Sequence, residues 1–503
     1  MKNKLFIGMT GVFLSFLFFI SCSNTEIVPQ LTIANITDTI PQVGGTTSLK
    51  YTCNAPWSID TIGFKWLHVS STSGKSGDAT IQLTAGANST GASRSLIMTI
   101  VSTNGQERRI TVLQSPNIFA SYNSTPIAPD ATGMGTTAMQ LNANIKMGIN
   151  LWNTFEAPGG ETGWGQPVVT QSLIDLLKQS GFNAIRIPCG YWAQGHMNKK
   201  TGKIDDSWLN RIKEVVQYCV NDGMYVEINR HHDGNDDFHL TGAQLDSAKA
   251  IHKAVWEQVA TTLRDFDEHV MFASLNEPQA DDLASITVLH DFHQIFINAV
   301  RSTGGKNAYR TLVLQTPNTS LDLAHYFAPG AIPGWPVDPT SNRLMLEIHY
   351  YTPANFCILS GGDASWGKEW RYWGKNFHST DDLTHNSTAD AEEGSVLKNM
   401  QFAKKNYVDK GIPVFIGEFG ASNHAAPYSE WVNGVQVYHP QLLGQPADSI
   451  LSLTSGAHFF AEVVRDARAN GVSTFLWAGV VNRQAETIDS KQQLDSIRKG
   501  AGY

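Results

Sequence analysis

Two short stretches, ASLNEP (273–278) and FIGEFG (415–420), each place a glutamate at the end of an apolar run that reads as a buried strand. A carboxylate in such a place is costly unless something uses it. Glu277 and Glu418 together meet the needs of retaining glycoside hydrolysis. There, one carboxyl stays protonated to donate to the leaving oxygen and the other stays ionised to attack the anomeric carbon, the two being about 5–5.5 Å apart. The ends of the other apolar runs carry matching chemistry: Asn150 and Asn153, Arg186, His231 and His232, Asn276, His349 with Tyr350 and Tyr351, and Trp477. Singly, each has an ordinary explanation as a solvated or satisfied polar side chain. A polar or aromatic group at nearly every such end is not how a packed, inert surface is written. An arginine and a tyrosine near Glu418 would hold it ionised and oriented, and Asn276 beside Glu277 can bond a sugar 2-hydroxyl.

These residues need a scaffold that gathers distant strand ends. From about residue 139 onward, apolar strand candidates alternate with amphipathic helix candidates. The strands are IKMGINLW, FNAIRIP, MYVEINRHH, VMFASLNEP, RTLVLQTPN, LMLEIHYYTP, PVFIGEFGA and STFLWAGV. Helices such as TQSLIDLLKQSG and SWLNRIKEVVQYCVNDG end in Ser-Gly and Asp-Gly, where a glycine stop is expected. This alternation predicts a (β/α)8 TIM barrel over 139–503, with its active residues where the strands run out into the following loops. An open doubly wound sheet would need a switch point, and no phosphate-binding glycine loop is present. On an eight-stranded ring, the fourth and seventh strands bring Glu277 and Glu418 face to face.

The ordered pieces GFNAIRIP, INRHHD, ASLNEP, EIHYYTP, PVFIGEFG and FLWAG resemble glycoside hydrolase family 5 of clan A across the whole barrel. GINLWNTFEA followed by ETGWGQP, and KIDDSWLNRIKEVVQYCVNDGMYVEIN, are similar to subfamily 4 of that family. The resemblance implies Glu277 as acid/base and Glu418 as nucleophile. It implies Arg186, His231, Asn276, His349 and Tyr351 as catalytic support, Trp477 as the sugar-stacking floor, and His232 and Asn150 along the subsites. Tyr350 is left out, because adjacent strand residues face opposite ways. Glu277 is then expected to be protonated and Glu418 ionised. The sequence departs from the subfamily pattern in three places. Trp152 stands where glycine is usual, CGYWAQGHM (189–197) replaces a shorter stretch and puts Trp192 in the cleft, and LWAGVVNR lacks the usual acidic-amide pair.

The implied activity is a retaining endo-β-1,4-glucanase acting on a β-glucan partner: xyloglucan, mixed-linkage glucan or soluble cellulose. The long loop 357–395, with Trp366, Trp370, Tyr372 and Trp373, has room for a branched chain. An endo-β-1,4-mannanase is the alternative enzyme, and a non-catalytic surface glycan-binding protein the alternative of another class. The mechanism needs no cofactor and no metal. In HHDGNDDFH (231–239), Asp233, Asp236 and Asp237 invite a calcium reading, but no glutamate stands at the distance that would complete such a loop.

Lys2 and Lys4 precede an apolar stretch to Ile20 and then FISCSN, which reads as a lipoprotein signal peptide (1–21) with Cys22 as the lipidated residue. The expected location is the outer membrane, held by an N-terminal lipid anchor at the cell surface. Cys53, Cys189, Cys219 and Cys357 show no paired or metal-like spacing and are expected as buried thiols. Residues 30–115 carry short β-type runs (TSLKYTC, ATIQLTA, RSLIMTIVS, RRITVLQ) between Gly, Asn and Ser turns. They predict a small all-β, immunoglobulin-like sandwich that resembles a BACON domain, with Trp57 and Trp66 as core. Residues 116–138, rich in Ser, Thr, Pro and Gly, read as a linker. A net charge of -8 among 503 residues, without basic clusters, argues against a nucleic-acid partner, and a monomer is expected.

Overall fold

The computed structural model describes residues 28–503 apart from 43, 89, 91–92, 117, 235, 425–427, 433–434 and 440–445. Residues 1–21, expected as a signal peptide, and Cys22 lie outside the described residues. The chain divides into two compact units, one made of the residues up to Asn88 with Ser93–Pro116, the other running from Asn117 onward.

The first unit is all-β. Along Gly77–Gly86, Ile81, Leu83 and Ala85 are buried while Thr80 and Gln82 are not, the two-residue period of a half-covered strand. A four-stranded sheet (Leu31–Ile33, Gly44–Cys53, Gly77–Gly86, Leu67–Val69) and a five-stranded sheet (Thr37–Thr39, Glu107–Gln114, Arg94–Ser102, Trp57–Ile59, Ser73–Gly74) share one apolar core. Trp57 lies in that core, edge-on to Tyr51 with ring centroids 5.2 Å apart. Its indole leaves no room for a side chain at Gly74, where a Cβ would come within 2.4 Å. Trp66 is half-buried and capped by the Arg94 guanidinium, 4.5 Å above its ring.

The second unit is a closed parallel barrel of eight strands: β1 (Gly148–Asn150), β2 (Ala184–Ile187), β3 (Tyr225–Asn229), β4 (Val270–Ala273), β5 (Leu312–Gln315), β6 (Leu344–Tyr350), β7 (Val414–Phe419) and β8 (Ser473–Leu476). The helices Gln171–Gln179 and Asp206–Asn221 stop before Gly181 and Gly223, whose φ values of 103° and 61° suit glycine. At the strand starts, Ala184, Met271, Ala273, Val313, Met345, Phe415 and Phe475 form an apolar layer, plugged by Ala138, Leu141 and Ile145 of the helix Ala138–Asn144 and its cap. One layer up, the same inward positions become Arg186, Glu227, Gln315 and Glu347.

A bulge decides the seventh strand. β6 and β7 pair Ile348 with Ile416 but His349 with Glu418, leaving Gly417 as the extra residue. With strict alternation Glu418 would point outward, away from the Phe415 face. The inserted glycine turns it inward beside His349. Tyr350 does face outward, where Asn399 Nδ2 donates to its hydroxyl at 3.1 Å.

The expected linker needs correction, since most of it is built into the barrel unit. Phe119 and Met134 are buried, and Glu257 accepts from Ser121 Oγ (3.0 Å) and the Tyr122 amide (2.7 Å). Ile127–Pro129 pairs in parallel with Gly304–Gly305, and Arg343 donates to the carbonyls of Met134 and Thr136. A Ser/Pro/Gly-rich composition marks irregular backbone here, not a free tether. Among the described residues, all four cysteines are free and buried, and no helix is long and apolar enough to cross a membrane.

Candidate active site

Arg186, wholly buried on β2, is the hub from which the site is built. Its Nη1 donates to Glu418 Oε1 (2.8 Å) and Asn150 Oδ1 (3.0 Å), its Nη2 to Asn276 Oδ1 (2.7 Å) and its Nε to Glu227 Oε1 (3.2 Å), while Nη2 also forms an ion pair with Glu347 Oε1 at 3.1 Å. Burial alone would push a guanidinium down. The carboxylates of Glu347 and Glu418 outweigh that and hold it raised and charged, with Glu227 Oε1 accepting from Nε. One planar fork on β2 thereby gathers groups from five other strands or their ends, β1, β3, β4, β6 and β7.

Glu418 is 5 % exposed and its second oxygen accepts from the Tyr351 hydroxyl at 3.0 Å. Glu277, just past the end of β4, receives His349 Nδ1 on Oε1 at 2.7 Å. Oxygens of Glu277 and Glu418, with a ring nitrogen of His349, all lie within 4.8 Å of one another. The two carboxyl groups therefore approach closely across the cleft, the arrangement that a retaining mechanism calls for.

The protonation expected of Glu277 is corrected by its neighbour. Burial pushes the His349 imidazole down, but Glu418, Glu277 and Glu347 surround it and hold it up at about 10. Burial likewise pushes Glu277 up, but the His349 bond and charge, with His232 and Arg186, draw it down to about 2. The shared proton therefore rests on the imidazole, because three carboxylates face it.

The remaining walls follow from the loops. His231 is buried, kept neutral by burial and by Arg186, and lies nearly parallel to Trp477 (7°, centroids 5.7 Å). His232, with φ 39°, sits between Asp236 (2.9 Å) and Asn276 Nδ2 (3.2 Å). The resulting cleft, about 680 Å³, is lined by Glu277, Glu418, Tyr351, His231, His232 and Trp477, with Trp164 and Ile358 exposed at its rim.

Two expected substrate contacts are placed elsewhere. Asn150 is buried behind Arg186, its amide spent on the carbonyls of Gly417 (2.9 Å) and Leu476 (3.2 Å). Trp192 lines a neighbouring depression with Arg230, Asp233 and Leu240, and Lys199 Nζ covers its ring at 3.8 Å. In the 357–395 loop, Tyr372 and Trp373 are wholly buried core, whereas Trp366 is 59 % exposed. Asp233 is structural, accepting from the amides of Tyr191 and Ala193 and from Arg230, while Asp236 and Asp237 pair with histidines. His239, Asp281 and Asp282 converge at the surface as an exposed acidic cluster.

Other cleft residues escaped the sequence reading: Glu156, Trp164, Gln194, and the buried carboxylates Glu227 and Glu347 below the floor. The departures at Trp152 and in VVNR turn out to meet. The Arg483 guanidinium lies 4.6 Å over the Trp152 ring, donates to Thr154 Oγ1 at 2.7 Å and also reaches the Trp152 carbonyl.

Residues 148–444 match a family model described as cellulase (glycosyl hydrolase family 5), and residues 31–117 match one described as a viral BACON domain. A xyloglucan-specific endo-β-1,4-glucanase of Bacteroides ovatus is 33% identical over 73% of this chain and 72% of its own length. The crystal structure of a Bacteroides ovatus family 5 xyloglucanase with a XXXG heptasaccharide superposes with a TM-score of 0.65 at 27% identity, covering 94% of this chain and 100% of that one. A xyloglucan-specific β-1,4-glucanase from a ruminal metagenomic library, bound to XXLG, gives 0.62 at 30% identity over 73% and 96%.

Proposed function

The chain belongs to glycosyl hydrolase family 5, and from that premise we propose that it cleaves β-1,4-glucan backbones internally with retention, xyloglucan foremost. The observation that carries this reading is the placement of Glu277 and Glu418 oxygens within 4.8 Å across a cleft walled by Trp477.

In the first half-reaction, Glu418 attacks the anomeric carbon while the bond to the leaving oxygen breaks. Arg186 and Tyr351 hold the attacking carboxylate in place. The proton starts on the Glu277–His349 pair. As attack consumes the Glu418 charge, His349 loses its largest supporting anion, so the proton passes through Glu277 to the departing hydroxyl. In the second half, Glu277 takes a proton from water, the hydroxide oxygen bonds the anomeric carbon, Glu418 leaves as a carboxylate, and the pair regains its proton. His231 stays neutral beside Trp477, adding no positive charge to the floor on which the sugar rests.

Xyloglucan is favoured by the relatives and by an open rim where Trp164 and Ile358 can pack on side branches. Product profiling on xyloglucan, mixed-linkage β-glucan, carboxymethyl cellulose and glucomannan side by side tests the reading. Oligosaccharides of retained β-configuration are expected, fastest from xyloglucan; no reducing ends from any of the four would sink it. Anchoring through Cys22 at the cell surface follows from FISCSN, and loss of membrane fractionation on Cys22→Ala is the expected result.

A further inference from the structure

Two glutamates beneath the cleft floor, Glu227 on β3 and Glu347 on β6, belong to neither half of that chemistry. Both are wholly buried and both touch Arg186, but there the likeness ends. Glu347 Oε1 also meets His349 Nε2 at 3.2 Å, and its Oε2 accepts from Gln315 Nε2 at 2.5 Å. Its oxygens thus face N–H donors from three different strands. Among the described residues, Glu227 Oε2 has no hydrogen-bond partner. The backbone makes room for Glu347: a Cβ at Gly417, the bulge residue of β7, would stand 1.9 Å from its Oε1.

We propose that Glu347 is a positioning residue for the hydrolysis, keeping His349 charged and its Nδ1–H directed at Glu277, while Glu227 supports the same arginine as a neutral acid. This inference rests on the roles proposed above for Glu277 and Glu418. His349 is faced by Glu277 from the end of β4, Glu418 and the neighbouring Tyr351 hydroxyl near β7, and Glu347 from its own strand. Arg186 on β2 and Glu227 with the neutral His231 on and after β3 complete its charged and titratable surroundings. A buried carboxylate oxygen without a donor is costly when charged, and far less so when it carries a proton. Burial and the nearby Glu347 push the Glu227 carboxyl well above its usual range, in agreement with the geometry. The sign for His349 follows. Removing one of its anions lowers its pKa, so the Glu277–His349 pair surrenders its proton at lower pH.

The experiment compares pH profiles of kcat and kcat/KM on soluble xyloglucan for wild type, Glu347→Gln, Glu347→Asp and Glu227→Gln, each checked for folding by thermal unfolding. Glu347→Gln is expected to move the basic limb down by about one pH unit and to lower kcat roughly tenfold or more with little change in KM. On an aryl cellobioside with a dinitrophenolate leaving group, which departs without a proton, its loss should be much smaller. Glu347→Asp, still charged but shorter, should restore the limb without restoring full kcat. Glu227→Gln should keep the wild-type limb. An unmoved limb in Glu347→Gln with equal losses on both substrates overturns the proposal, as does a moved limb in Glu227→Gln. If Glu347→Gln does not fold, Glu347→Asp and Glu227→Gln decide by the same limb. Inactive wild-type protein would instead count against the proposed function itself.

Discussion

His349 Nδ1 lies 2.7 Å from Glu277 Oε1, so one proton serves an imidazole and a carboxyl together. In the mechanism proposed above, the pair, rather than either member, is the acid. Three carboxylates face His349, and one of them, Glu347, lies beneath the cleft floor, wholly buried.

Stability should carry the imprint of this pair at both ends of the pH scale. His349 is raised to about 10, so its contribution is complete below about pH 6.5 and is lost as pH climbs toward 10. Glu277 is lowered to about 2, so its contribution is complete above about pH 4.5 and is lost as pH falls toward 2. The thermal midpoint of wild type should therefore decline on both sides of a plateau near pH 5–6.5. His349→Asn should flatten the alkaline decline.

Glu418→Gln should lower turnover of soluble xyloglucan by about a thousandfold or more while leaving oligosaccharide binding within a few-fold. The two readouts, reducing-end release and calorimetric titration, must separate. Parallel loss of both would mean that the residue holds the cleft together instead of attacking.

Tyr351→Phe removes the donor 3.0 Å from Glu418 Oε2 and nothing else from the cleft wall. A fall in kcat of about 10- to 100-fold is expected, with KM nearly unchanged. Steady-state kinetics on an aryl cellobioside and on xyloglucan should show the same factor, because the attacking group is common to both.

Arg483 over Trp152 is a coupled pair, so a double-mutant cycle should not add. Arg483→Ala and Trp152→Ala should each destabilise by roughly 1–3 kcal/mol, with a coupling of about 0.5–2 kcal/mol. Denaturant unfolding of the two single variants and the double variant measures it, and strict additivity would dissolve the pair.

The eight strands were legible because each is an apolar run ending in chemistry, and the helices because glycine stops follow their periodic faces. Arg186, His349 and both glutamates could be placed on strand ends from sequence alone. Other features were out of reach for physical reasons. Nothing in FIGEFG announces a bulge at Gly417, although only that extra residue turns Glu418 inward. Asn150 looked like a cleft residue because strand ends read alike, whether a side chain faces a sugar or spends its amide on backbone carbonyls. Trp192 belongs to a loop whose path depends on Asp233 and Phe119, partners far away in sequence. Glu347 could have been found: it stands two residues before His349 and so shares its face.

The segment of roughly twenty residues ahead of the first barrel helix also has an evolutionary consequence. Because its amides are spent on Glu257 and Glu268 and its carbonyls on Arg343, a recombination that replaced the front unit could keep the barrel whole only by joining near Pro116. The portable piece of this enzyme therefore begins where its composition looks most like spacer, and a graft cut at residue 138 would carry away part of the wall.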